Sequence, residues 1–407
     1  MSGHITEKFS FLTQIHTSWD GTEQRQALRQ EPRRYIAYDY TGMKEERSQY
    51  LRALIYHSQT TAIRFPMWHA ISVLPETMYA GQPIIMIPRE FIWCYRHIGG
   101  VELWYSDERG GRAYDVQYVG ADGRLVLTAK LKENYYAKKV KVIPVFYGVL
   151  AKDDSFTNRN DAISEMTLNL EFLREQSAPE DTFPAEYDMW NDEPVASPWN
   201  FRHGLPAEYM GAEVWRYTPQ WADNLDANFA KNANRIDYET GVIRFDEKSY
   251  NPQESREITY LLHTRQMINN IQRFFYRHKG AWKSFYAPTW IADFVLRSDG
   301  VAGAAALEVN LPWFWKYYNR SSRRKKIVVM YKGGASEVYS VSGYSRDGEN
   351  TYGIIYLEQS LPHDIKMQDV KMICFWCRYR FASDDLIVDY ETATTATVSL
   401  TLKEVDE

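Results

Sequence analysis

"KSFYAPTWIADF" (283–294) and "TAIRFPMWHAIS" (61–72) share one outline: an extended apolar run, then Pro-x-Trp, then a second apolar run. If the second repeats the first, the chain is two copies of one unit, and repeats of this kind decide an architecture before any local reading does. Setting "RRYIAYDY" (33–40) over "SREITYLL" (255–262) puts Arg34 on Arg256, Ile36 on Ile258 and Tyr38 on Tyr260, an offset of 222. The same offset carries Pro66 to Pro288 and Trp68 to Trp290, so arginine and tryptophan are 34 residues apart in both places. Pro-x-Trp alone is weak, because Pro219–Trp221 is a third instance. The helices between align only at 220, where Leu51, Leu54 and Ile55 fall on Ile271, Phe274 and Phe275.

Downstream regions add independent support. At an offset of 230, Gly123, Leu125, Leu127 and Leu131 fall on Gly353, Ile355, Leu357 and Leu361. Val140, Val142 and Phe146 fall on Val370, Met372 and Trp376, and Asp154 on Asp384. Each copy closes with a similar strand pattern, "SEMTLNLEFL" (164–173) and "ATVSLTLKEV" (396–405).

The expected fold class is therefore mainly β, with sandwich or barrel domains, two short helical elements and an internally duplicated two-module architecture. The boundaries expected are a strand–helix–strand unit ending in Pro-x-Trp at 1–75, a β-domain at 76–175, and an extended linker or arm at 176–209. A second strand–helix–strand unit follows at 210–296, and a second β-domain at 297–407. Period-2 runs such as "PIIMIPREFIWCY" (83–95), "KKVKVIPVFYGVL" (138–150) and "KKIVVMYK" (325–332) read as strands. The helices are "MKEERSQYLRALIYH" (43–57), with Tyr50, Leu51, Leu54 and Ile55 on one face, and "TRQMINNIQRFFYRHKG" (264–280), with Thr264 as N-cap and Gly280 as stop. The five prolines and many acids of 176–209 give the arm its extended character, and it packs on its own subunit or on a neighbour. Trp68 and Trp290 are expected to be largely buried, each plugging the joint between the two pieces of its copy.

Composition narrows the function. The 407 residues carry a net charge of −5, which leaves no general nucleic-acid footprint. Aromatics reach 15%, a level that suits β-surfaces, large cores and interfaces. The one basic cluster, "RSSRRKK" (320–326), reads as a solvated loop before a phosphate site. Cys94, Cys374 and Cys377 make no disulfide framework; Cys374 and Cys377 lie on opposite faces of a strand and read as buried free thiols. The N-terminal stretch has no secretory pattern, and no apolar run approaches the ~18 residues of a membrane helix.

A catalytic constellation is missing from the sequence. It contains no nucleophile elbow, zinc-protease helix, phosphate loop or dinucleotide fingerprint. Asp153–Asp154 and Asp384–Asp385 occupy equivalent places and could serve a glycosidase or a cation site, but acids at strand ends usually form turns. His57 and His69 flank the first Pro-x-Trp and match no histidine in the second copy at these offsets. No catalysis, cofactor or metal is expected.

"TSWDGTEQRQALRQEPRRYIAYDY" (17–40) carries a specific resemblance. Asp20, Gly21, Glu23, Gln24, Arg25, Leu28, Arg29, Pro32, Arg33 and Arg34 resemble a pattern in tail-tip (baseplate) structural proteins of long-tailed, siphovirus-like bacteriophages, of distal-tail or baseplate-hub type. "LPAEYMGAEVWRYTPQW" (205–221) with "DYETGVIRFD" (237–246) resembles the lead-in to a further copy. The resemblance covers about 1–75 and, more loosely, 205–295. It implies a virion component of the tail tip, made in the bacterial host cytoplasm. Its partners would be other copies of itself and other tail proteins (tube, tape-measure end, hub or receptor-binding proteins), with no nucleic-acid specificity and no membrane insertion. Arg33 and Arg34 are the candidate interface residues, suited to charge-assisted pairs with a neighbouring chain. The repeat residues to check are Arg34, Tyr38, Pro66, Trp68, Arg256, Tyr260, Pro288 and Trp290. Two rival readings stay open: a carbohydrate-binding β-sandwich protein using Trp104, Trp313 and Trp315 in one groove, and a cell-envelope hydrolase using the aspartate pairs.

Overall fold

The computed structural model describes residues 4–18, 21–58, 61–106, 109–150, 156–159, 163–173, 204–220, 225–239, 241–248 and 251–406. The chain is mainly β, in large antiparallel sheets. Its first half runs β1 (Ile5–Ser10), β2 (Thr13–Thr17), β3 (Glu23–Ala27), β4 (Arg33–Met43), α1 (Glu45–Ser58), β5 (Ile63–Pro66) and β6 (Ser72–Val73). It continues with β7 (Ile84–Met86), β8 (Gly100–Ser106), β9 (Gly110–Val119), β10 (Arg124–Leu127), β11 (Lys141–Leu150), β12 (Phe156–Asn158) and β13 (Ser164–Phe172). The second half opens with β14 (Glu208–Tyr209), β15 (Ala212–Glu213), β16 (Asp226–Ala230), β17 (Ala233–Asp237), β18 (Ile243–Glu247), β19 (Gln253–Leu262) and α2 (Arg265–His278). It then runs β20 (Phe285–Pro288), β21 (Ala306–Val309), α3 (Trp315–Tyr318), β22 (Lys326–Tyr331) and β23 (Ser336–Arg346). Last come β24 (Gly353–Leu357), β25 (Val370–Phe381), β26 (Asp385–Tyr390) and β27 (Ala396–Glu404).

The strand pairings of the first half recur in the second. β4 lies on β13, and β11 bends so that its start pairs with β8 and its end with β13. β8, β9, β10 and β7 follow in order. Likewise β19 lies on β27, β25 pairs with β22 at its start and β27 at its end, and β22, β23, β24 and β21 follow. Register recurs as well. Tyr38 faces Leu168 and Tyr260 faces Val398; Ile85 faces Leu125 and Leu307 faces Ile355. A bulge falls between Val126 and Leu127, opposite Tyr118 and Val116, and its counterpart sets Tyr356 and Leu357 opposite Gly343 and Val341. Even a loop cap recurs: Ala80 N donates to Asn134 Oδ1 and Ala302 N to Asp364 Oδ1, both at 2.8 Å. Gly81 and Gly303, one residue further on, share a positive φ of 89° and 85° that a side chain would strain.

The hairpin β2–β3 also has a counterpart, β17–β18, with Gly21 and Gly241 at φ 93° and 85° in the two turns. Two main cores result. One gathers Ile36, Tyr38, Leu103, Phe146 and Leu168, the other Ile258, Tyr260, Phe275, Phe375 and Leu400. A smaller cluster joins Leu205, Val214, Trp290, Val328 and Trp376.

The two expected helices are present, and their quality differs. In α2, Thr264 caps the Met267 amide at 3.2 Å, Lys279 closes the helix in the left-handed region, and Met267, Ile268, Ile271, Phe274 and Phe275 are buried. In α1 only Leu51 of the expected stripe is buried; Leu54 and Ile55 are half-buried and Tyr50 points to solvent.

Several expectations are corrected. Within 83–95 only Ile84–Met86 is strand, and Arg89–Tyr95 is a 3-10 turn. Phe91 to Tyr95 are all buried, whereas a strand would turn alternate side chains outward. The expected strand–helix–strand units are not separate from the β-domains, because β4 and β5 share one sheet with β13 and β11. The basic run 320–326 is not simply solvated: Arg324 bridges Glu254 and Glu404, and Arg323 pairs with Asp406 at 3.0 Å. Most of 176–209 lies outside the described residues; its last part packs onto the second half, where Leu205 is buried. Cys374 and Cys377 do sit in different clusters, as free buried thiols.

Candidate functional site: the junction between the halves

β1 is the strand on which the molecule turns. It pairs with β4 of its own half along one edge and with β26 of the other half along the opposite edge, Ile5 to Tyr390 through Ser10 to Asp385. The result is a continuous antiparallel run β12–β13–β4–β1–β26–β27–β19–β16. Period-2 alternation sends Glu7 and Phe9 inward, and Phe9 and Phe11 join the core of the second half.

Glu7 is fully buried, and a buried carboxylate is costly unless it is paired and hydrogen-bonded. Arg34, next to it on β4, donates from Nε to Oε1 at 2.5 Å. Oε2 accepts from Tyr390 Oη at 2.8 Å and from Gln272 Nε2 at 3.1 Å, while His69 Nε2 lies 3.5 Å away. Gln272 also donates to Tyr390 at 2.9 Å and accepts from Trp93 Nε1 at 3.0 Å. Arg265 donates to the His69 carbonyl at 3.1 Å. Glu7, Arg34, His69 and Trp93 come from the first half, and Arg265, Gln272 and Tyr390 from the second.

Burial alone would raise the Glu7 carboxyl; Arg34, His69 and Arg265 overcome it and hold the group well below the usual carboxylate range. Burial pushes the His69 imidazole down, against the pull of Glu7, and pushes the Tyr390 phenol well up. These shifts belong to a closed cluster in which both oxygens of Glu7 are hydrogen-bonded. Its physical role is registry: sliding β1 by one residue would bring Thr6 or Lys8 inward against Arg34 and Tyr390.

Two further ties cross the junction. Arg380 of β25 grips Glu23 of the β2–β3 hairpin with bonds of 2.6 and 2.9 Å. Asp384 accepts from Thr13 N at 2.6 Å and from Ala281 N at 2.9 Å. The 3-10 turn at Arg89–Tyr95 docks on α2, where Asn269 donates to the Glu90 carbonyl at 2.6 Å and Tyr276 meets the Trp93 ring edge-on at 5.6 Å.

Beside the junction, between α1 and β5, opens a cleft of about 1000 Å³ lined by Tyr50, Leu54, Phe65, Trp68, Trp104 and Glu391 among others.

Arg34 is engaged inside the chain by Glu7, so its charge is not held for a neighbour; Arg33 is exposed. Arg256, its counterpart, pairs with Glu254 and donates to the Thr289 carbonyl. Tyr38 and Tyr260 are both buried and donate to the carbonyls of Pro66 and Tyr217, at 2.9 and 3.0 Å. Pro66 and Pro288 each end the strand beside the bent one, opposite Val145 and Trp376. Trp290 is fully buried, with a φ of 58°. Trp68 is only half-buried, because it faces the cleft and meets Trp104 edge-on at 5.5 Å.

Asp384 caps backbone amides and Asp385 pairs with Lys8 at 2.7 Å, while Asp153 and Asp154 lie outside the described residues. Trp104 belongs to the first half, Trp313 and Trp315 to the second, and no ring contact joins them among the described residues. Among the described residues no group of three or more metal-ligating side chains comes together, and no helix is long and apolar enough to cross a membrane.

Sequence reasoning passed over Glu7, Gln272, Tyr390 and the core residue Trp215. The readable signal was in "ITEKFS" (5–10), where an acid falls in phase with Ile5 and Phe9 and so declares a partnered inward carboxylate. No protein-family model matches the sequence, and no curated protein matches it either.

Proposed function

We propose that the chain is two copies of one module joined head to tail, and that it serves as a structural component of a phage tail tip. In that role it assembles as a ring between the tail tube and host-recognition parts, without catalysis or cofactor. The observation that carries the assembly half is the junction itself. One module presents β1 and the 89–95 turn; the next presents β26 and α2. The two contacting surfaces differ, so the contact is heterologous, and a heterologous contact leaves one unmatched surface at each end. The recurrence of pairings, registers, the bulge and the loop cap supports duplication. The tail-tip half rests on the resemblance of residues 17–40.

The test is twofold. The purified protein is expected to have a native mass of several chains, and antibodies against it are expected to decorate the tail tip of virions. A monomer absent from virions would end this reading. A carbohydrate-binding role has one observation in its favour, the aromatic-lined cleft at Trp68 and Trp104. Glycan binding lost on changing Trp104→Ala would favour it instead.

A further inference from the structure

We infer that a second copy of this chain docks end to end on the first by repeating the internal junction between different elements. The β16 edge and the 311–318 segment of one copy meet the α1 face and β12 edge of the next. This deepens the self-assembly half of the reading above and rests on it; it does not depend on the tail-tip half.

The receiving face is α1. At the internal junction, α2 covers itself with the other half through Asn269, Gln272 and Arg273, all buried, and through half-buried Tyr276. The corresponding residues of α1, at an offset of 220, are Gln49, Arg52, Ala53 and Tyr56, and every one is exposed; Tyr56 is 94% exposed where Tyr276 packs against Trp93. The face is also preassembled. Gln272 ties α2 to Tyr390 of β26, and Arg52 ties α1 to β12, donating to Asn158 Oδ1 at 2.5 Å with its guanidinium 4.4 Å from the Phe156 ring. Among the described residues β12 pairs with β13 alone, whereas β26 also carries β1.

The docking face is at the other end. β16 stands where β1 stands in the first half, but it pairs with β19 alone among the described residues and is exposed along its length. The segment between β21 and β22 corresponds to the buried 89–95 turn between β7 and β8. It exposes Leu311, Trp313 and Tyr317, at 63%, 58% and 70%. Phe229 and Phe245, on β16 and β18, are also exposed, whereas the matching β2–β3 hairpin is tied to the other half through Glu23 and Arg380. An unpaired strand edge rimmed with exposed aromatics marks an association surface. The internal junction shows which surface complements it. The buried Glu7 cluster has no copy here: carried one residue past Asp226, the β16 register puts Leu225, which packs against the core, at the Glu7 place, so the contact between chains lacks the buried carboxylate of the contact within one.

The test uses the full chain and two variants at exposed positions, Tyr56→Asp and Trp313→Asp, followed by native mass spectrometry and sedimentation. The wild type is expected to assemble. Each variant alone is expected to lose assembly by about tenfold or more, with an unchanged thermal unfolding midpoint. Mixed, the two variants are expected to form a dimer and stop there, because the intact docking face of Tyr56→Asp meets the intact α1 face of Trp313→Asp. Variants that assemble as the wild type does, or a mixture that stays monomeric, would overturn the docking inference while leaving ring assembly by another surface standing. A wild type that is monomeric at all concentrations would overturn both.

Discussion

The phenol of Tyr390 donates to the carboxylate of Glu7 at 2.8 Å across 383 residues of sequence, and that bond sits at the centre of the contact between the two halves. Glu7→Ala leaves the largely enclosed Arg34 without its charge partner, a change expected to cost about 3 kcal/mol. Tyr390→Phe removes one donor to a charged acceptor and is expected to cost about 1.5–3 kcal/mol. Denaturant titration of the two single variants and the double variant checks this: the costs are expected to be non-additive by more than about 0.5 kcal/mol. Additive costs would mean that the two groups act independently.

Acid stability carries the imprint of buried imidazoles. Burial depresses His278 from 6.5 to about 3, while its Nδ1 donates to the Phe274 carbonyl at 2.8 Å. Between those pH values the unfolded chain takes up the proton first, so stability falls as pH drops from about 6.5, by at most about 1.4 kcal/mol per unit for one group. Glu7 adds a second loss at lower pH. Its folded pKa lies well below the ordinary carboxylate value of 4.5, so its contribution is complete above that pH and drains away beneath it. Urea midpoints measured from pH 7 to 4 are expected to fall, and to fall less steeply in His278→Leu. An unchanged slope in that variant would rule out His278 as a source.

Trp215 is the largest anchor that the sequence left unmarked. It is fully buried, donates from Nε1 to Tyr260 Oη at 2.9 Å, and meets Phe274 edge-on at 4.9 Å. Trp215→Ala is expected to cost about 3–5 kcal/mol. Trp68→Ala, at the half-buried site by the cleft, is expected to cost clearly less than Trp290→Ala. Thermal or chemical unfolding of the three variants ranks them.

Two glycines separate conformational strain from steric conflict. Gly81→Ala meets open space at φ 89° and is expected to cost about 1 kcal/mol from backbone strain. Gly123 has a φ of 91°, and an added Cβ would collide with the Ile87 carbonyl, so Gly123→Ala is expected to cost more. Equal costs would show that the loop relaxes.

Much of the fold was legible because registers recur where spacing recurs. The 222 and 230 offsets, read from Tyr38 and Leu125, describe strands that pair in matching register, whereas Pro288 sits one residue out of step with Pro66 against the bent strand. The 220 offset of the helices holds for α1 and α2, which are both 14 residues long. The 3-10 turn at 89–95 was misread because its apolar run from Phe91 to Tyr95 looks the same as a buried strand or a buried turn. The pairing of Arg324 was missed because its partners, Glu254 and Glu404, lie 70 and 80 residues away.

By itself the sequence determined the mainly β class, the two helices and the spacing of like elements, all of which follow from local alternation and periodicity. Only the tertiary structure decided how the halves meet. That β1 keeps β4 on one edge and carries β26 on the other, that Glu7 is inward, and that the outer face of α2 is covered while that of α1 is exposed are consequences of contacts between distant segments. A strand pattern records which side chains face inward; it does not record which edge the strand will share, because backbone hydrogen bonds are the same for every partner.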